Sequence, residues 1–339
     1  MSKVVSNFFL SYPMKAVLIE KFGSAENLKI QEWETPKLHD YEVLVKVHAT
    51  ALNRADLLQR EGKYPPPLGA SPILGLEIAG EVVALGVEVS RWKIGDKVFG
   101  LVSGGGYAQY AKIHEDMAIE IPENMSFEEA AAIPEVFLTA YQALFWLAKL
   151  QPQETLLIHA GASGVGTAAI QIAKEIEANI LVTASATKHS ICLDLGAKTV
   201  IDYKSQDFEQ EIAYLTNGQG VNVILDFLAA SYFQKNINSL SIDGRLVLLA
   251  LLGGAEVHQV NLAKILMKRL QIIGSTLRSR SLDYQIRLTQ EFWQFASVNF
   301  LTGKFRPVID SVFEWEKVQE AHRYMESNQN AGKIVLKIS

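Results

Sequence analysis

The stretch "IHAGASGVGTAAI", residues 158–170, limits the possible folds most. It sets Gly161, Gly164 and Gly166 between an apolar run and a segment with helical spacing. An apolar strand that breaks on glycines directly into a helix is the first half of a βαβ unit. The pattern then repeats: "ANILVTA" reads as a strand, "TKHSICLDLG" as a helix, "KTVID" as a strand and "DFEQEIAYLT" as a helix, and "GVNVILDF", "YFQKNINSL", "GRLVLLA" and "LQIIGS" continue it. Such alternation predicts a parallel sheet covered by helices. The glycine join has two readings, a tight turn or a site where backbone N–H groups meet phosphate oxygen. Its spacing departs from Gly-x-Gly-x-x-Gly, so the glycines alone do not decide; the flanking strand, helix and strand favour a dinucleotide. On that reading Gly161 permits the sharp exit from the strand, Gly164 a close phosphate approach and Gly166 close packing at the helix start. Ser163 and Val165 share the loop.

The preceding region reads differently. "MKAVLIE", "YEVLVKVHATAL", "GLEIAGEVVALGVEV", "GDKVFGLV" and "GGGYAQYAKI" have strand character between glycines and charges, which predicts a small twisted barrel. The loop "REGKYPPPLGASP" carries Tyr64 on a proline-stiffened segment. Near "FEEAAAIPEVFLTAYQALFWLAKL" the period shifts toward 3.6, Pro134 breaks or kinks the helix, and Phe137, Tyr141, Leu144 and Phe145 form a core face. In the tail, "YQIRLTQEFWQFASVNFLTG" reads as a helix and "WEKVQEAHRYMES" puts Val318, Ala321, His322 and Met325 on one face. "GKIVLKI" is a strand expected to rejoin the first domain. A chain of 339 residues exceeds what one core usually supports, and the expected division is 14–136, 137–274 and a returning 275–339.

Several function classes drop out. A net charge of -5 without long like-charged runs disfavours nucleic acid as a partner. Cys192 is the only cysteine, which excludes an intrachain disulfide and a four-cysteine zinc site; at helical spacing from Leu195 it reads as a small buried hydrophobe. The histidines form no HExxH pattern, and "HAGASGVG" is not a Gly-x-Ser-x-Gly elbow, so Ser163 is a loop residue and not a nucleophile. The opening "MSKVVSNFFLSYP" lacks a long apolar core and a cleavage site, and Met14 is a candidate start with a ragged extension before it. No apolar run is long enough to span a bilayer, so a cytoplasmic protein without membrane insertion is expected.

The end of the second strand bears on cofactor choice. NAD calls for a carboxylate at the adenosine ribose, whereas "VTASATKHS" offers Ser185, Thr187, Lys188 and His189 with no Asp or Glu among them. A ribose phosphate is accommodated there, and NADPH is preferred. Lys188 is either a phosphate contact or an exposed helix charge.

Taken in order, "ALNRADLLQREGKYPPPLGASPILGLEIAGEV", "WKIGDKVFGL", "AAAIPEVFLTAYQAL", "HAGASGVGTAAIQIAK", "GVNVILDF", "LRSR" and "EAHRYMESNQNAGKIVLKI" cover nearly all of residues 14–338. The chain thereby resembles the medium-chain dehydrogenase/reductase superfamily, and within it the zinc-free NADPH-dependent quinone oxidoreductases of the p53-inducible and zeta-crystallin type. That resemblance implies an α/β fold, with a GroES-like twisted β-barrel catalytic domain and a Rossmann-type parallel-sheet cofactor domain. Where zinc-using relatives carry a cysteine and a Gly-His-Glu segment, this chain has Asn53 and Leu76. The resemblance implies no metal.

It further implies that Asn53 and Tyr64 line the substrate and nicotinamide cleft, though Asn53 also suits a turn and Tyr64 a cover for the proline loop. Thr139 is implied near the nicotinamide, Tyr203 beside the ribose phosphate, and Leu251 and Leu277 near the cofactor. Arg278 either holds cofactor oxygen, shapes the site's mouth or lies in a solvated turn. Asn328 either reaches the cofactor or sits in an ordinary turn. Ala186 stands where relatives can have a serine. The implied activity is NADPH-dependent reduction of quinones or related conjugated carbonyls. The alternatives are reduction of α,β-unsaturated ketones or aldehydes, an NADPH-responsive binding protein with weak catalysis, and a structural assembly protein. A homodimer is expected, with "RLQIIGSTLRSR" as either its contact or a strand buried within one subunit.

Overall fold

The computed structural model describes residues 13–339; the proposed extension ahead of Met14 lies, except for Pro13, outside the described residues. The chain forms two compact units, one comprising the chain up to Leu138 together with Arg278–Ser339, the other Thr139–Leu277.

In the first unit β1 (Pro13–Ile19) and β2 (Leu28–Glu34) form an antiparallel hairpin. β3 (Glu42–Ala51) leads into the short helix α1 (Arg54–Arg60), followed by β4 (Glu77–Leu85), β5 (Lys97–Leu101), β6 (Tyr110–His114) and β7 (Ile119–Glu120). The valines and alanines that mark β3 as a strand are its buried residues: Val43, Val45, Val47, Ala49 and Ala51. Helix α2 (Phe127–Ala131) starts on a capping box in which Ser126 Oγ accepts from Glu129 N–H and Glu129 returns the bond. Pro134 does not kink a single helix. It opens a new one, α3 (Pro134–Tyr141), at the position where a missing N–H costs nothing.

The second unit alternates strand and helix throughout. Its strands are β8 (Thr155–Ile158), β9 (Asn179–Ala184), β10 (Thr199–Asp202), β11 (Val221–Asp226), β12 (Leu240–Leu248) and β13 (Gln271–Gly274). Between them lie α4 (Gly164–Glu175), α5 (His189–Leu195), α6 (Phe208–Leu215), α7 (Phe233–Ser239) and α8 (Leu262–Met267). All neighbours are parallel, in the order β10-β9-β8-β11-β12-β13. Leu157, Leu181, Ile201, Ile224 and Leu246, one from each of five adjoining strands, are buried in one cluster. The strand order turns at β8, which has β9 on one side and β11 on the other. In open α/β sheets ligands bind beyond the carboxyl ends of the strands at such a turning point.

The chain then returns to the first unit through α9 (Leu282–Leu301), β14 (Ile309–Glu314), α10 (Val318–Glu326) and β15 (Lys333–Lys337). β15 pairs antiparallel with β3, Val335 opposite Ala51, in a seven-stranded sheet ordered β14-β15-β3-β4-β5-β7, with β6 also on β3. Val318, Ala321, His322 and Met325 of α10 are all buried. This GroES-like unit and the Rossmann-type sheet together make an α/β fold.

Candidate functional site

At the carboxyl end of β8 the chain turns through Ala160, whose φ of 50° lies in the left-handed region. Gly161, expected to take that turn, is needed for a different reason: a Cβ there would stand 2.7 Å from Cβ of Val182 on the adjoining strand. Gly166 fits its expectation, since a Cβ would lie 2.5 Å from the Ala160 carbonyl oxygen and 2.6 Å from that of Gly161. Ser163 caps α4, its Oγ accepting the Gly166 N–H at 3.1 Å, while its carbonyl accepts the Thr167 N–H at 2.8 Å. A helix start leaves its first N–H groups without intrahelical acceptors. With Gly166 and Thr167 satisfied, the N–H groups of Gly164 and Val165 remain to receive an anion. Two free N–H groups at a helix start beyond the carboxyl end of a parallel strand suit an anion such as a nucleotide phosphate.

Behind the corner runs a hydrogen-bonded chain that the sequence did not disclose. Ala160 N–H donates to Thr183 Oγ1 at 3.3 Å, and Thr183 Oγ1 and His159 Nδ1 lie 3.1 Å apart. His159 Nε2 meets Asn236 Oδ1 at 2.7 Å, and Asn236 Nδ2 donates to Asp226 at 3.0 Å. Because Asn236 spends an amide proton on Asp226, its oxygen must accept from His159 Nε2–H. Nδ1 then accepts from the threonine, and the neutral Nε2–H tautomer is fixed. Burial drives His159 down to about 4, so it stays neutral. Asp226 also accepts from Leu228 and Ala229 N–H, which ties the ends of β8, β9 and β11 into one frame.

The ribose-side candidates lie at the ends of two adjacent strands. Directly after β9, Ser185 caps a 3-10 turn that ends at Lys188, both half-buried, and Tyr203, 46% exposed, follows β10. Lys188 is therefore not a fully exposed helix charge. A linear window after β9 contains no carboxylate, but the sheet register sets Asp202 opposite Ala184. Its carboxylate oxygens accept from Lys204 N–H at 3.1 Å and Ser205 Oγ at 2.8 Å within its own turn. Leu251 is exposed after β12, Leu277 buried after β13, and Thr139 half-buried on α3.

In the first unit a lysine stands at the centre of a polar cluster. Lys333 Nζ donates to Leu52 O at 2.8 Å, Asn53 Oδ1 at 2.7 Å and Glu77 Oε1 at 2.7 Å, so all three ammonium protons are engaged. Asn53 Nδ2 donates to Glu77 Oε1 at 2.8 Å and Ala51 O at 3.3 Å. Both amide protons of Asn53 are thus committed internally, and the donor the sequence suggested for a substrate is spent on Glu77. Glu77 Oε2 accepts the Glu135 N–H at 2.9 Å. Nearby, Asp56 accepts from Asn53 N–H at 2.8 Å, Gly75 N–H at 3.0 Å and Tyr107 Oη at 3.3 Å. Burial pushes Asp56 up to about 6 against these donors. His322 faces Tyr107 and Arg60, and burial and then Arg60 hold it down at about 3.

Arg278 is buried, not in a solvated turn. Its Nε and one terminal nitrogen donate to Ser103 O at 3.0 and 2.8 Å, and the other terminal nitrogen donates to Gln59 Oε1 at 2.8 Å. Its guanidinium lies 5.6 Å from the ring centre of half-buried Tyr64. Asn328, with φ 59°, accepts from Arg54 and donates to Glu326 O, so its side chain is tied to the first unit. Sequence reasoning passed over Glu135, although it lies within the stretch "AAAIPEVFLTAYQAL". On α3 Glu135 and Thr139 are half-buried, whereas Val136, Phe137, Leu138 and Ala140 are buried; four residues apart, the two share a helix face. No group of three or more His, Cys, Asp or Glu among the described residues is placed to hold a metal ion.

Comparison with known proteins agrees with this architecture. Residues 39–123 match the family described as alcohol dehydrogenase GroES-like domain, and residues 164–294 match that described as zinc-binding dehydrogenase. The chain is 33% identical to the quinone oxidoreductase of Homo sapiens over 95% of its own length and 97% of that protein. It is 32% identical to the synaptic vesicle membrane protein VAT-1 homolog of Danio rerio, covering 96% of this chain and 70% of that one. Among solved structures, CurK enoyl reductase superposes with a TM-score of 0.86 at 31% identity, covering 96% of this chain and 99% of that one. The quinone oxidoreductase from Coxiella burnetii does so at 0.80 and 29%, covering 97% and 100%. The chain belongs to the medium-chain dehydrogenase/reductase superfamily, in its zinc-independent, quinone-oxidoreductase-like branch.

Proposed function

We propose that this protein uses NADPH to reduce quinones or related electron-poor conjugated carbonyl compounds without a metal. The observation that carries this reading is the β8–α4 corner, where Gly161 and Gly166 let strand, turn and helix pack closely and Gly164 and Val165 offer N–H groups to a diphosphate. Bound there, the reduced nicotinamide supplies a hydride. Gly161, Ser163, Gly164, Val165 and Gly166 hold the diphosphate, and Ser185, Lys188 and Tyr203 receive the ribose phosphate. Thr139, Leu251 and Leu277 bound the nicotinamide side. Tyr64 offers the substrate an aromatic face and a phenolic O–H, while Asn53, its amide protons committed, fixes the floor through Lys333 and Glu77. Arg278 shapes the mouth by clamping Ser103 and Gln59, and Asn328 braces Arg54.

Asp202 is a carboxylate near the ribose end and counts against NADPH, but the two donors of its own turn lessen that effect; calorimetry with both dinucleotides tests the choice. Kinship to the p53-inducible and zeta-crystallin enzymes is our reading of "HAGASGVGTAAIQIAK" and its neighbours. A homodimer is supported by β13, an edge strand with Ile272 exposed, and by the exposed Leu266 and Met267 of α8, and native mass measurement decides it. A cytoplasmic location is consistent with the absence, among the described residues, of any helix long and apolar enough to cross a membrane, and fractionation checks it.

The functional test is NADPH oxidation with product identification across quinones, α,β-unsaturated carbonyls and simple alcohols. Dominant alcohol oxidation overturns the proposal, and saturable NADPH binding without turnover leaves a binding protein. Reduction of unsaturated ketones or aldehydes is a second reading, favoured by the similarity to CurK enoyl reductase and by the placement of Glu135.

A further inference from the structure

Three carboxyl groups, Asp56, Glu77 and Glu135, gather in the first unit, and the buried cations facing them are already engaged. Lys333 spends its three protons on Leu52, Asn53 and Glu77, and Arg278 donates to Ser103 and Gln59. Glu77 has an ion-pair partner and Asp56 has three donors. The carboxyl of Glu135 receives no hydrogen bond from the described residues, although its backbone N–H is anchored on Glu77. A second anion beside Glu77 without a counter-ion is unfavourable, so the group that can shed its charge by taking a proton is Glu135.

Its surroundings agree. Burial, and then the charge of Glu77, push Glu135 up to about 8, with Asp56 acting in the same direction and Lys333 and Arg278 against it. Tyr64 responds to the same charges, raised by burial and Glu135 and lowered by Arg278. Glu135 also lies one helical turn from Thr139 on the half-open face of α3.

We propose that Glu135 is the proton donor in reduction of an α,β-unsaturated carbonyl substrate, a role that rests on the NADPH-reductase reading above and narrows its substrate class. Hydride addition at the β-carbon moves the C=C electron pair into an enolate. The O–H bond of Glu135 then breaks as a C–H bond forms at the α-carbon, and the carboxylate regains a proton from solvent. Quinone reduction needs no such donor, because the hydroquinone oxygens exchange protons with water directly. Overall one hydride and one proton are consumed per carbon–carbon double bond reduced. Glu135 is a catalytic residue on this proposal, while Glu77 and Lys333 are positioning residues.

The test pairs Glu135→Gln with Glu135→Asp. Glu135→Gln is expected to lower enone turnover about 100-fold or more, the lower end of general-acid effects, and to lower it at least about tenfold more than quinone turnover. Glu135→Asp, an acid of shorter reach, is expected to recover part of the enone rate. Infrared spectra of the cofactor-free protein are expected to show a protonated-carboxyl band that disappears as pH rises through about 8 and is missing in Glu135→Gln. Enone reduction at the wild-type rate in Glu135→Gln, an equal loss on quinones and enones, or no such band overturns the assignment of Glu135 alone. A wild-type protein that reduces neither class overturns the reductase reading as well.

Discussion

Replacing Lys333 by methionine keeps most of its volume and removes its charge, which isolates what the ammonium does. The variant strips one donor each from Leu52 O, Asn53 Oδ1 and Glu77 Oε1, and leaves a carboxylate that is 0% exposed without its ion-pair partner. Removing one member of a buried pair costs about 3–5 kcal/mol, most of it the uncompensated charge left behind. For a unit of this size each kcal/mol lowers Tm by about 2–4 °C, so a fall of about 6–20 °C is expected. Urea unfolding of Lys333→Met, Glu77→Gln and the double variant separates the pair from its context. If the bare carboxylate is the cost, the double variant is more stable than Lys333→Met by about 1–3 kcal/mol. A Tm shift below about 2 °C, or simple additivity in the cycle, would refute the reasoning.

Three more outcomes follow from the second unit. Gly166→Ala drives a Cβ to 2.5 Å from the Ala160 carbonyl, so the corner must shift; it is expected to weaken NADPH binding at least about tenfold by calorimetry and to lower Tm, since the roughly 1 kcal/mol that alanine adds to a helix does not offset a backbone clash. Lys188→Ala is expected to cost NADPH about 10- to 100-fold in affinity while leaving NADH binding unchanged, as suits one charge-assisted contact. Because His159 binds a proton near pH 4 when folded and near 6.5 when unfolded, the unfolded state binds more protons in that window. Stability is therefore full above pH 6.5 and lost on acidification toward 4, by about 3 kcal/mol, and Glu- or Asp-free replacement His159→Gln is expected to flatten that part of the curve.

What could be read in advance was what is local along the chain. The β8–α4 corner was visible because strand, glycines and helix lie within a few residues, although it took the neighbouring strand to show that Gly161 is required by Val182 and that Ala160 makes the turn. The face of α10 was visible from spacing alone. Asp202 was missed because it reaches the end of β9 through sheet register and not through sequence. The Asn53–Glu77–Lys333 cluster joins residues from β15, β4 and the start of α1, and nothing in three ordinary polar residues announces that they meet. The same holds for His159, Thr183, Asn236 and Asp226, which come from four separate elements or their edges.

That β15 supplies Lys333 to Asn53 and Glu77 has a consequence for biosynthesis. As the nascent chain leaves the ribosome, the nucleotide-fold segment has all its own strands once Leu277 has emerged, whereas the unit begun earlier still lacks its last strand. Until β15 has emerged, Glu77 awaits its cation. A polypeptide that stops short of Lys333 retains an anion with no counter-charge at the heart of its unfinished sheet.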